Sequence, residues 1–106
     1  MRIFASMNTP DLDRAATAAT DLLKALASPS RLRILCQLAD GEKSVGQIAT
    51  AIGSRETAVS QHLALLRKDR VVRYRRSAQT VIYALDDPAA RRLLEVLHDL
   101  FCPDSH

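Results

Sequence analysis

Ser44-Val45-Gly46-Gln47-Ile48-Ala49-Thr50-Ala51-Ile52-Gly53, continued by Ser54-Arg55-Glu56-Thr57-Ala58-Val59-Ser60-Gln61-His62-Leu63-Ala64-Leu65-Leu66-Arg67-Lys68, is the stretch whose reading decides the fold. In its first half Val45, Ile48, Ala49 and Ile52 recur at i, i+3, i+4 and i+7, which predicts a short helix with Ser44 as its cap. Gly53 breaks that helix. Ser54 is a suitable cap for a second one, in which Val59, Leu63 and Leu66 form an apolar stripe and Thr57, Gln61 and Lys68 lie opposite. Two short helices joined by a tight glycine turn form a helix-turn-helix, a unit able to present its second helix to a DNA major groove.

Charge supports that orientation. From Arg55 to Arg76 there are seven basic residues (Arg55, Arg67, Lys68, Arg70, Arg73, Arg75, Arg76) against two acidic ones (Glu56, Asp69), a local balance of +5. The whole chain carries only +3, so everything outside this window amounts to −2. A basic segment on a near-neutral body suits a phosphate-facing surface, because each neutralised phosphate releases condensed counterions. A solvated basic face would carry the same charge, and it is the coincidence with the helix-turn-helix pattern that favours nucleic acid.

Downstream, Val71-Val72-Arg73-Tyr74-Arg75-Arg76 and Thr80-Val81-Ile82-Tyr83-Ala84-Leu85 are β-branched and aromatic runs separated by Ser77-Ala78-Gln79, which reads as a β-hairpin. A basic hairpin directly after a recognition helix is a wing, able to reach a phosphate backbone or the adjacent minor groove. Arg70 and Ala78 stand where glycine would ease a positive φ, at about 1 kcal/mol each if the backbone is left-handed there.

Upstream, Thr9-Pro10-Asp11 signals a helix start with Thr9 as cap, and the helix to about Ala27 carries the small stripe Ala15, Ala18, Ala19, Leu22, Ala25 and Leu26. Ser28-Pro29-Ser30 repeats the signal for the next helix, where Leu32, Leu35, Cys36 and Ala39 share one face, Ile34 and Leu38 flank it, and Asp40-Gly41 ends it. Asp87-Pro88 opens the last helix, whose face of Leu93, Val96, Leu97 and Leu100, widened by Leu94 and Phe101, runs to Cys102-Pro103. That face is more apolar than one neighbour can cover, so a homodimer through the first and last helices is expected. Such a dimer sets two recognition helices about 34 Å apart, on successive major grooves of a palindromic double-stranded site.

The predicted architecture is mainly α with a β-hairpin wing: four helices, two strands and a fifth helix, a winged helix-turn-helix filling residues 1–106 as one domain, with residues 1–8 expected to be disordered. Apolar residues make up 47% and charged residues 25%, which fits an ordinary soluble globule. No run approaches the roughly 18 apolar residues of a membrane span, and Met1 to Met7 is too short and polar for a secretory signal, so a cytoplasmic protein is expected. In that compartment the two cysteines, 66 positions apart, are expected to be reduced at rest. No C-x-x-C and no convincing nucleophile–base pair is present, so neither an enzyme nor a cofactor is expected. A protein-interaction module could use the same apolar helices, and would differ in lacking DNA affinity even at low salt.

The phrases Leu26-Ala27-Ser28-Pro29-Ser30-Arg31-Leu32-Arg33-Ile34-Leu35, Ala58-Val59-Ser60-Gln61-His62-Leu63-Ala64-Leu65-Leu66-Arg67 and Tyr83-Ala84-Leu85 resemble the ArsR/SmtB family of bacterial winged-helix repressors, over roughly residues 12 to 102. The resemblance implies a homodimeric repressor that releases operator DNA when an inducer binds. It places Ser54, Arg55, Thr57, Ser60 and Gln61 at bases and phosphates and assigns Arg73, Arg75 and Arg76 to the wing. His62, nearer the apolar side, is read as a packing or phosphate-contact residue.

Departures from the family pattern bear on the inducer. Where the family's third-helix metal site has C-V-C, this chain has Ser44-Val45-Gly46. Its last-helix site, D-x-H with H-x-x-E, falls on Asp87, Ala89, Leu100 and Pro103, which leaves one ligand of four. The remaining pattern, Cys36 in Leu35-Cys36-Gln37-Leu38 and Cys102 in Leu100-Phe101-Cys102, resembles the family's persulfide-sensing subgroup. That resemblance implies a thiolate attacking a sulfane sulfur and a partner thiol resolving the product into a bridge. Two alternatives stand beside it. The cysteines could be small core hydrophobes, or His98 and Cys102, i and i+4 on one helix, could bind a thiophilic metal with Cys36 or His106.

Overall fold

Short polar caps and prolines set the helix boundaries. The computed structural model describes residues 8–102. Its elements are α1 (Thr9–Leu26), α2 (Pro29–Ala39), β1 (Lys43–Ser44), α3 (Val45–Ile52), α4 (Glu56–Lys68), β2 (Val72–Ser77), β3 (Thr80–Leu85) and α5 (Pro88–Phe101). Ser28 Oγ accepts from the Arg31 amide at 3.3 Å to start α2, and Asp87 Oδ1 accepts from the Ala89 amide at 2.9 Å to start α5. At α3 the capping is reciprocal: Ser44 Oγ accepts from the Gln47 amide at 3.1 Å while Gln47 Oε1 accepts from the Ser44 amide at 2.9 Å.

Two caps differ from the sequence expectation. Asn8, not Thr9, caps α1, its Oδ1 accepting from the Asp11 amide at 3.0 Å, so Thr9 and Pro10 are the first helical residues. Asparagine caps at least as well as threonine, and proline is tolerated in the first turn because its amide has no partner there anyway. Residues 1–7, the rest of the stretch expected to be disordered, lie outside the described residues. The N-cap of α4 is Arg55 rather than Ser54, and no side chain caps it. Ser54 instead donates its amide to Ala49 O at 3.0 Å, closing the turn that Gly53 makes at φ +67°.

The hairpin carries a third strand that the sequence did not suggest. The sheet order is β1-β3-β2, antiparallel throughout, with Lys43 opposite Tyr83, Ser44 opposite Ile82, and β2 paired with β3 from Val72↔Leu85 to Ser77↔Thr80. Two residues are too few to leave a periodic signal, and Ser44 also serves as the cap of α3.

The core is a single cluster in which Leu35, Ile48, Val59 and Leu63 are fully buried, joined by Ile34, Leu38, Leu66, Val72 and Leu94. On α2 the buried face is Ile34, Leu35 and Leu38, and Cys36 is exposed, which corrects the expectation that it shares the stripe. On α1 only Ala25 and Leu26 are buried, while Ala15, Ala18 and Ala19 lie open. On α5 Ala90 and Leu94 face the body, whereas Val96, Leu100 and Phe101 are 52%, 68% and 75% exposed. An apolar strip at the end of α5 therefore has no covering among the described residues.

Arg70 and Ala78 take positive φ, +61° and +56°, as their positions in the sequence suggested. A left-handed backbone costs an L-residue about 1 to 2 kcal/mol, and glycine's extra freedom in the unfolded chain gives back about 0.5 to 1 kcal/mol. Ala78→Gly is therefore expected to raise stability by about 0.5 kcal/mol, read as a higher denaturation midpoint at unchanged m-value. Gly53→Ala has nothing within 4 Å of the added Cβ, so its loss of about 1 kcal/mol is purely conformational.

Candidate nucleic-acid interface and thiol pair

The rotation of α4 about its axis is set by burial. Val59, Leu63 and Leu66 point into the core at 0%, 0% and 1% exposure, which turns Thr57, Ser60 and Gln61 to solvent on the opposite side. Ser54 and Arg55, in the turn before the helix, are exposed beside them. The structure thus brings the five residues expected at bases and phosphates onto one continuous surface at the N-terminal end of α4, where the helix dipole also favours an anion. His62 is half-buried, and its Nδ1 is buried with no hydrogen-bond partner among the described residues, which accords with a packing role for that edge of the ring.

The wing is docked onto the same helix. Arg67 of α4 lies over the Tyr74 ring of β2, 4.2 Å from its centroid, and Tyr74 packs on Tyr83 of β3 with centroids 5.8 Å apart. This column links the hairpin to α4. It also engages Arg67, which the charge count alone had left among the residues facing phosphate.

The three wing arginines have different occupations. Arg73 Nη1 donates to Leu85 O at 2.9 Å and to Asp86 Oδ1 at 3.2 Å, tying β2 to the start of the connection to α5. Arg75 pairs with Glu42 through two hydrogen bonds. Arg76, exposed near the tip, has no hydrogen bond or ion pair among the described residues. Other basic side chains cap helix ends, which sequence reasoning missed. Arg31 donates to Ala25 O at 2.7 Å and Lys24 O at 3.1 Å, while Lys43 and Arg91 donate to Gln37 O at 2.6 Å and Ala39 O at 3.0 Å at the end of α2. An i+6 or more distant carbonyl leaves no local sequence signal.

Cys36 on α2 and Cys102, which caps the end of α5 with its amide donating to His98 O at 2.9 Å, are both exposed and not joined by a disulfide. The exposure overturns the reading of both as core hydrophobes. The ends of α2 and α5 enclose a cleft of about 500 Å³ lined by Cys36, Asp40, Leu94, Glu95, His98 and Asp99. Desolvation against this wall, the nearby Cys102 sulfur and then the Asp40 carboxylate push the Cys36 thiol pKa above its usual value. Cys102 is close enough to be felt electrostatically at Cys36. Cys36 and His98 share the cleft, but among the described residues no three donor side chains converge as a metal site needs, and His106 lies outside those residues.

Residues 28–74 match the bacterial regulatory protein, arsR family. The transcriptional activator HlyU of Vibrio cholerae is 43% identical over 92% of this chain and 91% of its own length. The structure of reduced HlyU superposes with a TM-score of 0.83, covering 87% of this chain and 97% of that one. The transcriptional repressor BigR of Xylella fastidiosa is 35% identical with a TM-score of 0.82, over 91% and 98% of the two chains. The homodimeric winged helix-turn-helix DNA-binding domain Mb0332 of Mycobacterium bovis is 30% identical with a TM-score of 0.74, over 91% and 88%. With relatives this similar along almost the whole chain, the protein belongs to the ArsR family of winged helix-turn-helix DNA-binding transcriptional regulators, in the group that contains BigR.

Proposed function

We infer that the protein is a homodimeric repressor whose hold on operator DNA is released when a persulfide oxidises Cys36 and Cys102. The observation that carries this reading is that Cys36, exposed at the cleft between α2 and α5, lies within electrostatic reach of the exposed Cys102 at the end of α5, the same helix end that carries the exposed apolar strip. That strip, with the small side chains of α1, supplies a self-complementary surface of the kind a two-fold dimer buries. The Mycobacterium bovis relative is described as homodimeric, and HlyU has been obtained in a reduced form. HlyU is named an activator and BigR a repressor, and repression is the direction proposed for this chain. No helix among the described residues is long and apolar enough to cross a membrane, consistent with the cytoplasmic location proposed here.

The chemistry balances as two sulfur transfers. A protein thiolate attacks the terminal sulfur of an organic persulfide, forming Cys–S–SH and releasing the organic thiol. The second thiolate then attacks the sulfur bonded to the first cysteine, giving a disulfide and expelling the outer sulfur as hydrogen sulfide. With a second persulfide equivalent, the bridge keeps one more sulfur. Either product ties the end of α5 to α2, which alters the α5 packing on which the dimer depends and hence the spacing of the two recognition helices.

On the DNA side, Ser54, Arg55, Thr57, Ser60 and Gln61 are the proposed readers of bases and adjacent phosphates, with Arg75 and Arg76 on the backbone. Arg73 is assigned a share of the backbone contact only through its placement on the outer wing, since its guanidinium is also a strand tie.

Mass spectrometry of the dimer before and after persulfide exposure, beside DNA-binding isotherms, tests the switch. Cys36→Ser and Cys102→Ser are each expected to retain DNA binding and to lose release by persulfide. Normal release of either variant refutes a two-thiol mechanism. Arg55→Ala should reduce discrimination between operator and random DNA by about 1 to 3 kcal/mol, whereas Arg75→Ala should weaken all sequences alike and flatten the salt slope, both read by titration at several salt concentrations. Because the reactive species is the thiolate and the folded state holds the Cys36 proton more firmly than the unfolded chain does, alkylation of Cys36 should keep rising with pH beyond the range of an ordinary thiol. Asp40→Asn should move that profile to lower pH. The same shift makes folding stability contributed by the neutral thiol complete below the unfolded pKa and lost as pH climbs toward the folded one.

A further inference from the structure

The Arg75 side chain is engaged before any DNA arrives. Its Nε donates to Glu42 Oε2 at 3.3 Å and its Nη2 to Glu42 Oε1 at 2.5 Å, a side-on, two-point contact between groups 33 residues apart. The sheet creates this meeting. β1 sets Lys43 opposite Tyr83, and β3 sets Ile82 opposite Arg75, so the residue just before β1 comes within reach of the second strand over. Hydrogen bonding to Arg75 holds the Glu42 carboxyl below the usual carboxylate range, so the pair stays ionised at neutral pH. The turn that carries Glu42 is itself held in place, because Lys43 Nζ donates to Gln37 O at 2.6 Å.

The guanidinium edge that Glu42 occupies, Nε with Nη2, is an edge on which a planar fork takes carboxylate or phosphate oxygens in pairs. A DNA phosphate that uses that edge has to displace the carboxylate, and a carboxylate left beside a phosphate repels it. We propose that Glu42 is a built-in competitor of the DNA backbone for Arg75, keeping the wing cation in an internal pair until a phosphate takes its place. Both partners are about half exposed, 56% for Arg75 and 49% for Glu42, so water screens the pair and the exchange is a tuning effect rather than a gate. Its action falls on the sequence-independent part of binding, lowering affinity for arbitrary DNA and leaving base reading by α4 untouched. The inference rests on Arg75 being a phosphate contact.

The test uses the full chain and a duplex of random sequence, titrated at several salt concentrations. Glu42→Gln is expected to bind about two- to fivefold tighter than the unaltered protein, the range set by an exposed ion pair. The slope of log K against log salt should steepen, because a released cation is available to a phosphate. In an Arg75→Ala background the same substitution should give none of that gain. Weaker binding by Glu42→Gln overturns the proposal, since it means that Glu42 presents Arg75 to DNA. An equal gain with or without Arg75 also overturns it, as an effect of net charge alone. If Arg75→Ala weakens binding but Glu42→Gln leaves it unchanged, the competition fails and the wing contact stands. If Arg75→Ala is itself without effect, the wing contact fails and the competition with it.

Discussion

Burial of Val59, Leu63 and Leu66 against Leu35 and Ile48 is the constraint on which the rest of the molecule depends. A helix of 13 residues is marginal by itself in water, so the α4 conformation and its rotation are both supplied by that apolar contact. Rotation by one residue would move the stripe by about 100° and carry leucine more than a quarter turn toward the face on which Thr57, Ser60 and Gln61 now meet solvent. The solvent-facing side of α4 is thus defined by its reverse side. The Arg67–Tyr74–Tyr83 column extends the contact from α4 to the hairpin.

Arginine is used in this chain for two purposes that charge counting cannot separate. Arg31 and Arg91 close helix ends by donating to carbonyls in the last turns of α1 and α2, and Arg73 closes the hairpin onto the segment that leads to α5. Arg76 and Arg55 remain available on the surface. Basic character is necessary for a phosphate-facing protein, but the share of it that faces outward is decided by tertiary hydrogen bonds.

Local chemistry was legible in the chain, and distant partners were not. Ser28 and Asp87 declared two helix starts as caps followed by proline, Ser44 declared a third as a cap before an apolar period, Gly53 declared the turn, and Arg70 and Ala78 stood out as non-glycine residues in places that call for positive φ. Cys36 was misjudged because a stripe of Leu32, Leu35, Cys36 and Ala39 and one of Ile34, Leu35 and Leu38 are equally good helical faces, and only the position of α3 and α5 selects the second. β1 and the Glu42–Arg75 pair were invisible for a related reason: each exists only once the sheet has brought residues tens of positions apart into register. The thiol pair was suggested by resemblance, while the cleft beside Cys36 and its acidic wall exist only in the folded chain.

The non-glycine hairpin tip has a mechanical meaning. Ala78 at φ +56° has far fewer alternative backbone states than a glycine would, so the connection between β2 and β3 is stiff as well as slightly strained. A stiff connector loses little freedom when the hairpin settles against a partner, so less of the interaction energy goes into ordering it. The molecule thus gives up a fraction of its folding stability at one residue and arrives at its target with the arm already shaped.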